Sequence, residues 1–212
     1  VDAAPNAEVD FGYRIYNNDG DEVSQCGNGA RCFARYVTDT GLTNKKAITV
    51  QTRAGRLVLH VQADGLGSVD MGAPRLTAAQ IPFLPSYATA INQHLWRIDA
   101  LDTTVTVVSM GNPHAVLRVD DVAQTAVEAR GLALQQHPAF PESVNVGFMQ
   151  IINRTHIRLR VYEGGARETL ACGSGACAAV VAGILNGWLD EQVQVDVLGG
   201  TLHIQWSGDN TP

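Results

Sequence analysis

The segment RIYNNDGDEVSQCGNGA at residues 14–30 returns as RVYEGGARETLACGSGA at residues 160–176. One offset of 146, with no gap, carries Arg14 to Arg160, Tyr16 to Tyr162, Glu22 to Glu168, Cys26 to Cys172, Gly27 to Gly173, Gly29 to Gly175 and Ala30 to Ala176. Solenoid arrays repeat at about 20–50 residues, so a unit that recurs once at this distance predicts two similar halves. Halves related by a pseudo-twofold axis would set Cys26 and Cys172 opposite one another.

A chain of 212 residues has room for two small cores. Its formal charge of -6 and its two lysines, Lys45 and Lys46, adjacent in a polar turn, build no basic face, which excludes nucleic acid as a partner. A pyridoxal-phosphate enzyme needs a lysine in apolar surroundings for its Schiff base, and neither of these qualifies, so no cofactor is expected. No apolar run reaches membrane-spanning length, and no basic-then-apolar leader opens the chain. The four cysteines, Cys26, Cys32, Cys172 and Cys177, are few for a secreted disulfide scaffold, and their C-x5-C and C-x4-C spacings are not those of zinc knuckles. The expectation is a reduced, cytoplasmic protein with no metal.

Period-two alternation and β-rich composition predict strands at 11–16, 48–52, 57–61, 104–109, 115–119, 146–151, 156–162, 193–197 and 201–206. Turn signals fall at 18–20, 54–55, 64–65 and 199–200. Helices are predicted after Cys26 to near Gly41, from Val122 to about Gln136, and after Cys172 through Leu185. In the first, Ala30, Phe33, Ala34 and Val37 share a face; in the third, ACAAVVAGIL is apolar all round, which predicts a helix enclosed by protein. The fold class is α+β, with strands wrapped around one buried helix in each half, and halves at 1–101 and 102–212.

A lone cysteine is usually a small buried hydrophobe, and that reading fits Cys32 and Cys177. Cys26 and Cys172 stand instead at helix starts within Cys-Gly-x-Gly-Ala, where unpaired N–H groups and the helix dipole favour a thiolate. The glycines let backbone amides approach a carboxylate closely. A carbon held beside that carboxylate, with one thiol on each face, defines a two-base racemase: one thiolate removes the α-proton while the other thiol delivers a proton to the far side.

Over nearly its whole length the chain resembles the diaminopimelate epimerase family, most specifically in SQCGNGARCFARYV, VSMGNPHAVLRVDD, VNVGFMQ and ETLACGSGACAAV. The resemblance implies pseudo-symmetric halves, each a β-barrel or strongly curved sheet around a central helix, with Cys26 and Cys172 as the catalytic acid–base pair. It implies that Asn17, Asn112 and Asn145 bind substrate, that Gly27, Asn28, Gly173 and Ser174 hold one end of it through helix-start backbone, and that His114 and Glu163 support catalysis. It further implies no cofactor, a small amino-acid substrate and a homodimer. The reaction implied converts LL-2,6-diaminopimelate to the meso isomer.

Two departures bear on this transfer. After the glutamate matching Glu163 the family carries an arginine that clamps a substrate carboxylate, but here stands Gly164, while Arg167 occupies a position where the family has glycine. Family segments are also expected before Val1 and after the last residue, which reads as truncation at both ends. The rivals are a proline or hydroxyproline racemase, which needs no distal clamp, and an inactive fragment of the epimerase. A Cys26–Cys172 disulfide would be a redox switch.

Overall fold

The computed structural model describes residues 1–16, 20, 22–23, 27–53, 55–61 and 67–209, with only the backbone at Val23, Gly27 and Asn28. Expectations at Asn17, at Cys26 and at turn residues 18–19, 54 and 64–65 lie outside them. The chain divides into two compact units, Val1–Met71 and Gly72–Pro212. The expected boundary at 101/102 falls inside the second.

In the first unit β1 (Asp2–Ala3), β2 (Phe11–Gly12), β3 (Ile15–Tyr16) and β4 (Glu22–Val23) precede α1 (Gly27–Asp39), β5 (Ala47–Thr52), β6 (Gly55–Val61) and β7 (Gly67–Val69). A five-stranded sheet runs β1-β2-β5-β6-β7, parallel only at β2/β5, and β3 pairs with β4. The predicted face of α1 is the buried one: Ala30, Phe33, Ala34 and Val37 pack with Ile48, Val50, Leu57 and Leu59. Phe33 also meets the rings of Tyr13 and Phe11, with centroids 4.8 and 5.8 Å away. Burial of each such large side chain contributes about 1.5–3 kcal/mol, which makes this stripe the reason α1 is held to its sheet.

The second unit holds β8 (Thr89–Ala90), β9 (Leu95–Ile98), β10 (Thr103–Ser109), β11 (Pro113–Arg118), α2 (Val127–Gln135), β12 (Asn145–Asn153), β13 (His156–Glu163), β14 (Arg167–Thr169), α3 (Gly173–Leu185), β15 (Gln192–Val197) and β16 (Gly200–Gln205). Eight strands lie in the order β16-β15-β13-β12-β11-β10-β9-β8, parallel at β11/β12 and β13/β15, and β14 pairs with β13 off that path. The outermost strands of this path, like β1 and β7 in the first sheet, do not pair with each other, so the described sheets are mixed and open rather than closed barrels.

Strand parity sorts the side chains of this sheet between two layers. Val105, Val107, Ala115, Leu117, Val146, Phe148 and Tyr162 form a core with Val127 and Leu134 of α2. Their neighbours Thr106, His114, Val116, Asn145 and Val161 point the other way, toward α3: Asn186 at the end of that helix donates to Thr106 (2.9 Å). From Gly175 to Gly183 every residue of α3 is buried, as its uniformly apolar sequence predicts. The second predicted helix begins five residues late because 122–126 form turns, with the Asp121 carboxylate and carbonyl accepting from Ala123 N–H and the Thr125 hydroxyl.

The sequence repeat is also a structural one. The 146-residue offset carries the bounds of α1, Gly27–Asp39, onto those of α3, Gly173–Leu185. It also carries the β3/β4 pairing of Ile15 with Val23 and Tyr16 with Glu22 onto the β13/β14 pairing of Val161 with Thr169 and Tyr162 with Glu168. The charged residues diverge. Arg160 grips Glu168 with two bonds (2.5 and 2.8 Å), whereas Arg14 reaches Asp2 (2.7 and 3.2 Å).

Candidate active site

Cys172 caps α3. Its backbone is extended (φ -126°, ψ 111°), its carbonyl accepts the Ala176 N–H (2.9 Å), and its sulfur accepts the Gly175 N–H (3.4 Å). The Ala176 bond is the first of the helix itself, while the sulfur takes the Gly175 amide, one of the four that a helix start leaves unpaired; among the described residues the Gly173 and Ser174 N–H groups remain for a ligand. Glycine fits closely at 175: a Cβ would lie 3.1 Å from Val161 and 3.2 Å from the Cys172 sulfur, so these side chains would have to give by a few tenths of an ångström.

Parity and register bring the other candidates to this helix start. His114 on β11 pairs with Asn145 on β12, and Val146 pairs with Tyr162, so the next step sets Glu163 alongside Asn145 on the α3 face. The His114 Nε2 lies 3.1 Å from both Asn112 Oδ1 and Ser174 Oγ, and Ser174 Oγ lies 3.6 Å from the Cys172 sulfur. Asn112 Oδ1 can only accept, so the proton is assigned to Nε2. Ser174 then stands between the imidazole and the thiol. Asn145 Oδ1 accepts the Gly164 N–H (3.1 Å), and the Thr169 hydroxyl donates to Glu163. The second unit therefore assembles Asn112, His114, Asn145, Glu163, Cys172, Gly173 and Ser174 on one side of one sheet.

Burial sets the charges. His114 is 1% exposed, and that burial pushes its pKa down to about 3, so the ring is neutral; its Nδ1 has no hydrogen-bond partner among the described residues. Cys172 is 6% exposed, and burial pushes its thiol up to about 12, with the nearby Glu163 charge as the second cause. The bonds from Ser174 and Gly175 act the other way and are outweighed. The sequence expectation of a helix-start thiolate is thereby corrected for Cys172: desolvation overrides the amides and the dipole, and the sulfur holds its proton. Cys177 is buried inside α3, but Cys32 is exposed on α1 rather than buried.

Gly164 is exposed and supplies only a backbone N–H. Arg167 has left-handed backbone (φ 60°), which explains why glycine suits that position, and its guanidinium donates to Glu128 of α2 (3.2 Å). It does not stand in for a clamp at 164. Thr169 was not singled out from sequence; the signal was there, since the repeat matches it to Val23, a polar residue replacing an apolar one.

Solved structures of low sequence identity share the fold of this chain. The hydroxyproline epimerase of Agrobacterium vitis superposes with a TM-score of 0.67 at 15% identity, covering 97% of this chain and 65% of that one. A PhzF-family phenazine biosynthesis protein of Bacillus anthracis gives 0.64 at 15% identity, over 98% and 76%. Sequence is more specific. The diaminopimelate epimerase family model matches residues 2–77 and 106–212, and this chain belongs to that family. It is 53% identical over 214 residues to the diaminopimelate epimerase of Ectopseudomonas mendocina (strain ymp), and 50% identical over 212 residues to that of Pseudomonas paraeruginosa (strain DSM 24068 / PA7). Each alignment covers the whole chain and 76% of the relative.

Proposed function

We propose that this chain epimerises one α-carbon of LL-2,6-diaminopimelate to the meso isomer without a cofactor, with Cys26 and Cys172 as the two acid–base groups. The observation that carries the reading is a buried, protonated thiol at the start of an enclosed helix whose first amides remain for a carboxylate, in a chain of this family. The Gly173 and Ser174 N–H groups would bind the carboxylate next to the reacting carbon. As the Cα–H bond breaks, its electron pair spreads into that carboxylate, and preorganised amides at a dry helix start stabilise the developing charge.

The proton balance assigns the roles. Cys26, as thiolate, takes the α-proton from one face, and the Cys172 thiol gives its proton to the other, so Cys26 ends protonated and Cys172 ends as thiolate. The helix-start amides and the Ser174 hydroxyl stabilise that thiolate when it forms. Glu163 opposes it, which keeps the resting proton on sulfur and makes the return of a proton to the Cys172 thiolate more favourable once it has formed. His114, being neutral, holds Ser174 without adding charge. The pseudo-symmetric reading, with each half a curved sheet around one helix, is supported by the shared offset of helix bounds and hairpin register. The 50–53% identity to diaminopimelate epimerases favours this substrate over proline or hydroxyproline, for which the likeness is one of fold at 15–16% identity.

The test is α-proton exchange of LL-2,6-diaminopimelate in deuterated, reducing buffer followed by proton NMR. Exchange with inversion, lost in both Cys26→Ala and Cys172→Ala, is expected. A folded, reduced wild-type protein that exchanges nothing would remove the reading.

A further inference from the structure

We propose that Gly199, at the tip of the β15–β16 hairpin, is a positioning residue for Cys172, an inference that rests on the proposed function for its kinetic readout. The connection from β14 into α3 is only Leu170 and Ala171 between Thr169 and Cys172. One end is fixed by the β13/β14 ladder and by the Thr169 hydroxyl on Glu163. The other fixed point is Leu170, whose carbonyl accepts the Gly199 N–H at 2.7 Å.

Gly199 and Gly200 form a turn pair, yet only Gly200 needs the conformational freedom of glycine (φ 144°), since Gly199 has no positive φ. Close approach explains Gly199 instead. A Cβ there would stand 3.1 Å from the Leu170 carbonyl oxygen, 3.3 Å from its Cβ and 3.4 Å from its carbonyl carbon. Two of these three atoms are backbone, so they cannot rotate away as a flexible side chain would. Contact this tight requires one side to give by a few tenths of an ångström, and in this proposal it is the two-residue lead into Cys172 that does so. Leu170, 69% exposed, contributes no core packing to resist the shift. The hairpin tip is thus a backstop for the two-residue lead into the thiol, and a methyl group there moves the sulfur relative to the amides that would hold the substrate carboxylate.

The experiment compares Gly199→Ala with wild type and with Leu198→Ala, a change at the exposed neighbouring turn residue, in circular dichroism, melting, α-proton exchange and the pH dependence of Cys172 alkylation by iodoacetamide read by mass spectrometry. For Gly199→Ala we expect a folded protein, a fall in kcat on the order of tenfold with KM nearly unchanged, and a displaced alkylation profile. Leu198→Ala should match wild type in all of these. Should Gly199→Ala fail to fold, Leu170→Gly, which loosens the same tether without adding bulk, should give the same split between kcat and KM. Wild-type kcat and alkylation in a folded Gly199→Ala, or an unchanged kcat in Leu170→Gly, would overturn the proposal. If the wild-type protein exchanges no α-proton, the functional reading fails, while the alkylation profiles still decide whether Gly199 places the thiol.

Discussion

Cys172 shows how two opposing effects are ranked at one atom. Two hydrogen bonds and the helix start favour a thiolate, yet burial and then Glu163 hold the pKa at about 12. The folded value lies above the ordinary 9.0, so the folded protein binds the extra proton between those values and loses that contribution to stability as pH rises through the window. Glu163→Gln removes the charge but leaves the burial. We expect the Cys172 alkylation profile to move to lower pH while staying above that of an ordinary thiol; an unmoved profile would show that Glu163 does not act on the sulfur. At the loop beyond Glu163, Arg167 bears left-handed backbone strain of about 1–3 kcal/mol. Its exposed pair with Glu128 returns at most about 1 kcal/mol. Arg167→Gly should therefore raise stability by about 1 kcal/mol in urea unfolding. Combined with Gly164→Arg, which meets no atom closer than 3.9 Å at its Cβ, it should lower KM for diaminopimelate.

Among the elements, α3 is the one with least freedom to change. Gly183 faces Leu189 so closely that an added Cβ would lie 2.2 Å from Leu189 Cδ1. Alanine would gain about 1 kcal/mol of helix propensity, but overpacking costs about 1–3 kcal/mol. Gly183→Ala should lower the melting temperature by several degrees, and an increase would mean that Leu189 simply moves aside. The β13–β15–β16 layer carries a titrating tie: His156, Gln194 and Thr201 hold the Asp196 carboxyl down to about 2. A depressed carboxylate contributes stability above its ordinary value of 3.8 and loses it as pH falls toward 2. In acid titrations followed by circular dichroism, Asp196→Asn should flatten the loss of stability between pH 4 and 2.

At the scale of the molecule, all three tryptophans, Trp96, Trp188 and Trp206, lie in the second unit, so their fluorescence reports that unit alone. Residues 72–212 expressed by themselves should retain native-like tryptophan emission and a cooperative melt, because the core around α2 and the buried α3 are drawn from that unit. The same fragment should catalyse neither exchange nor inversion, since it lacks Cys26. Activity in the fragment would rule out the two-thiol proposal. The sequence by itself determined the repeat, the helices that follow Cys26 and Cys172, the buried face of α1 and the enclosed character of α3, because periodicity and turn residues are local properties of the chain. It also assembled the candidates His114, Asn145, Glu163 and Ser174, through the resemblance. The tertiary structure alone decided the two-residue strands, which exist only through their partners, and the open sheets. It alone decided the neutral His114, the protonated Cys172 and the Gly199 backstop too, since burial and close approach arise between residues far apart in the chain.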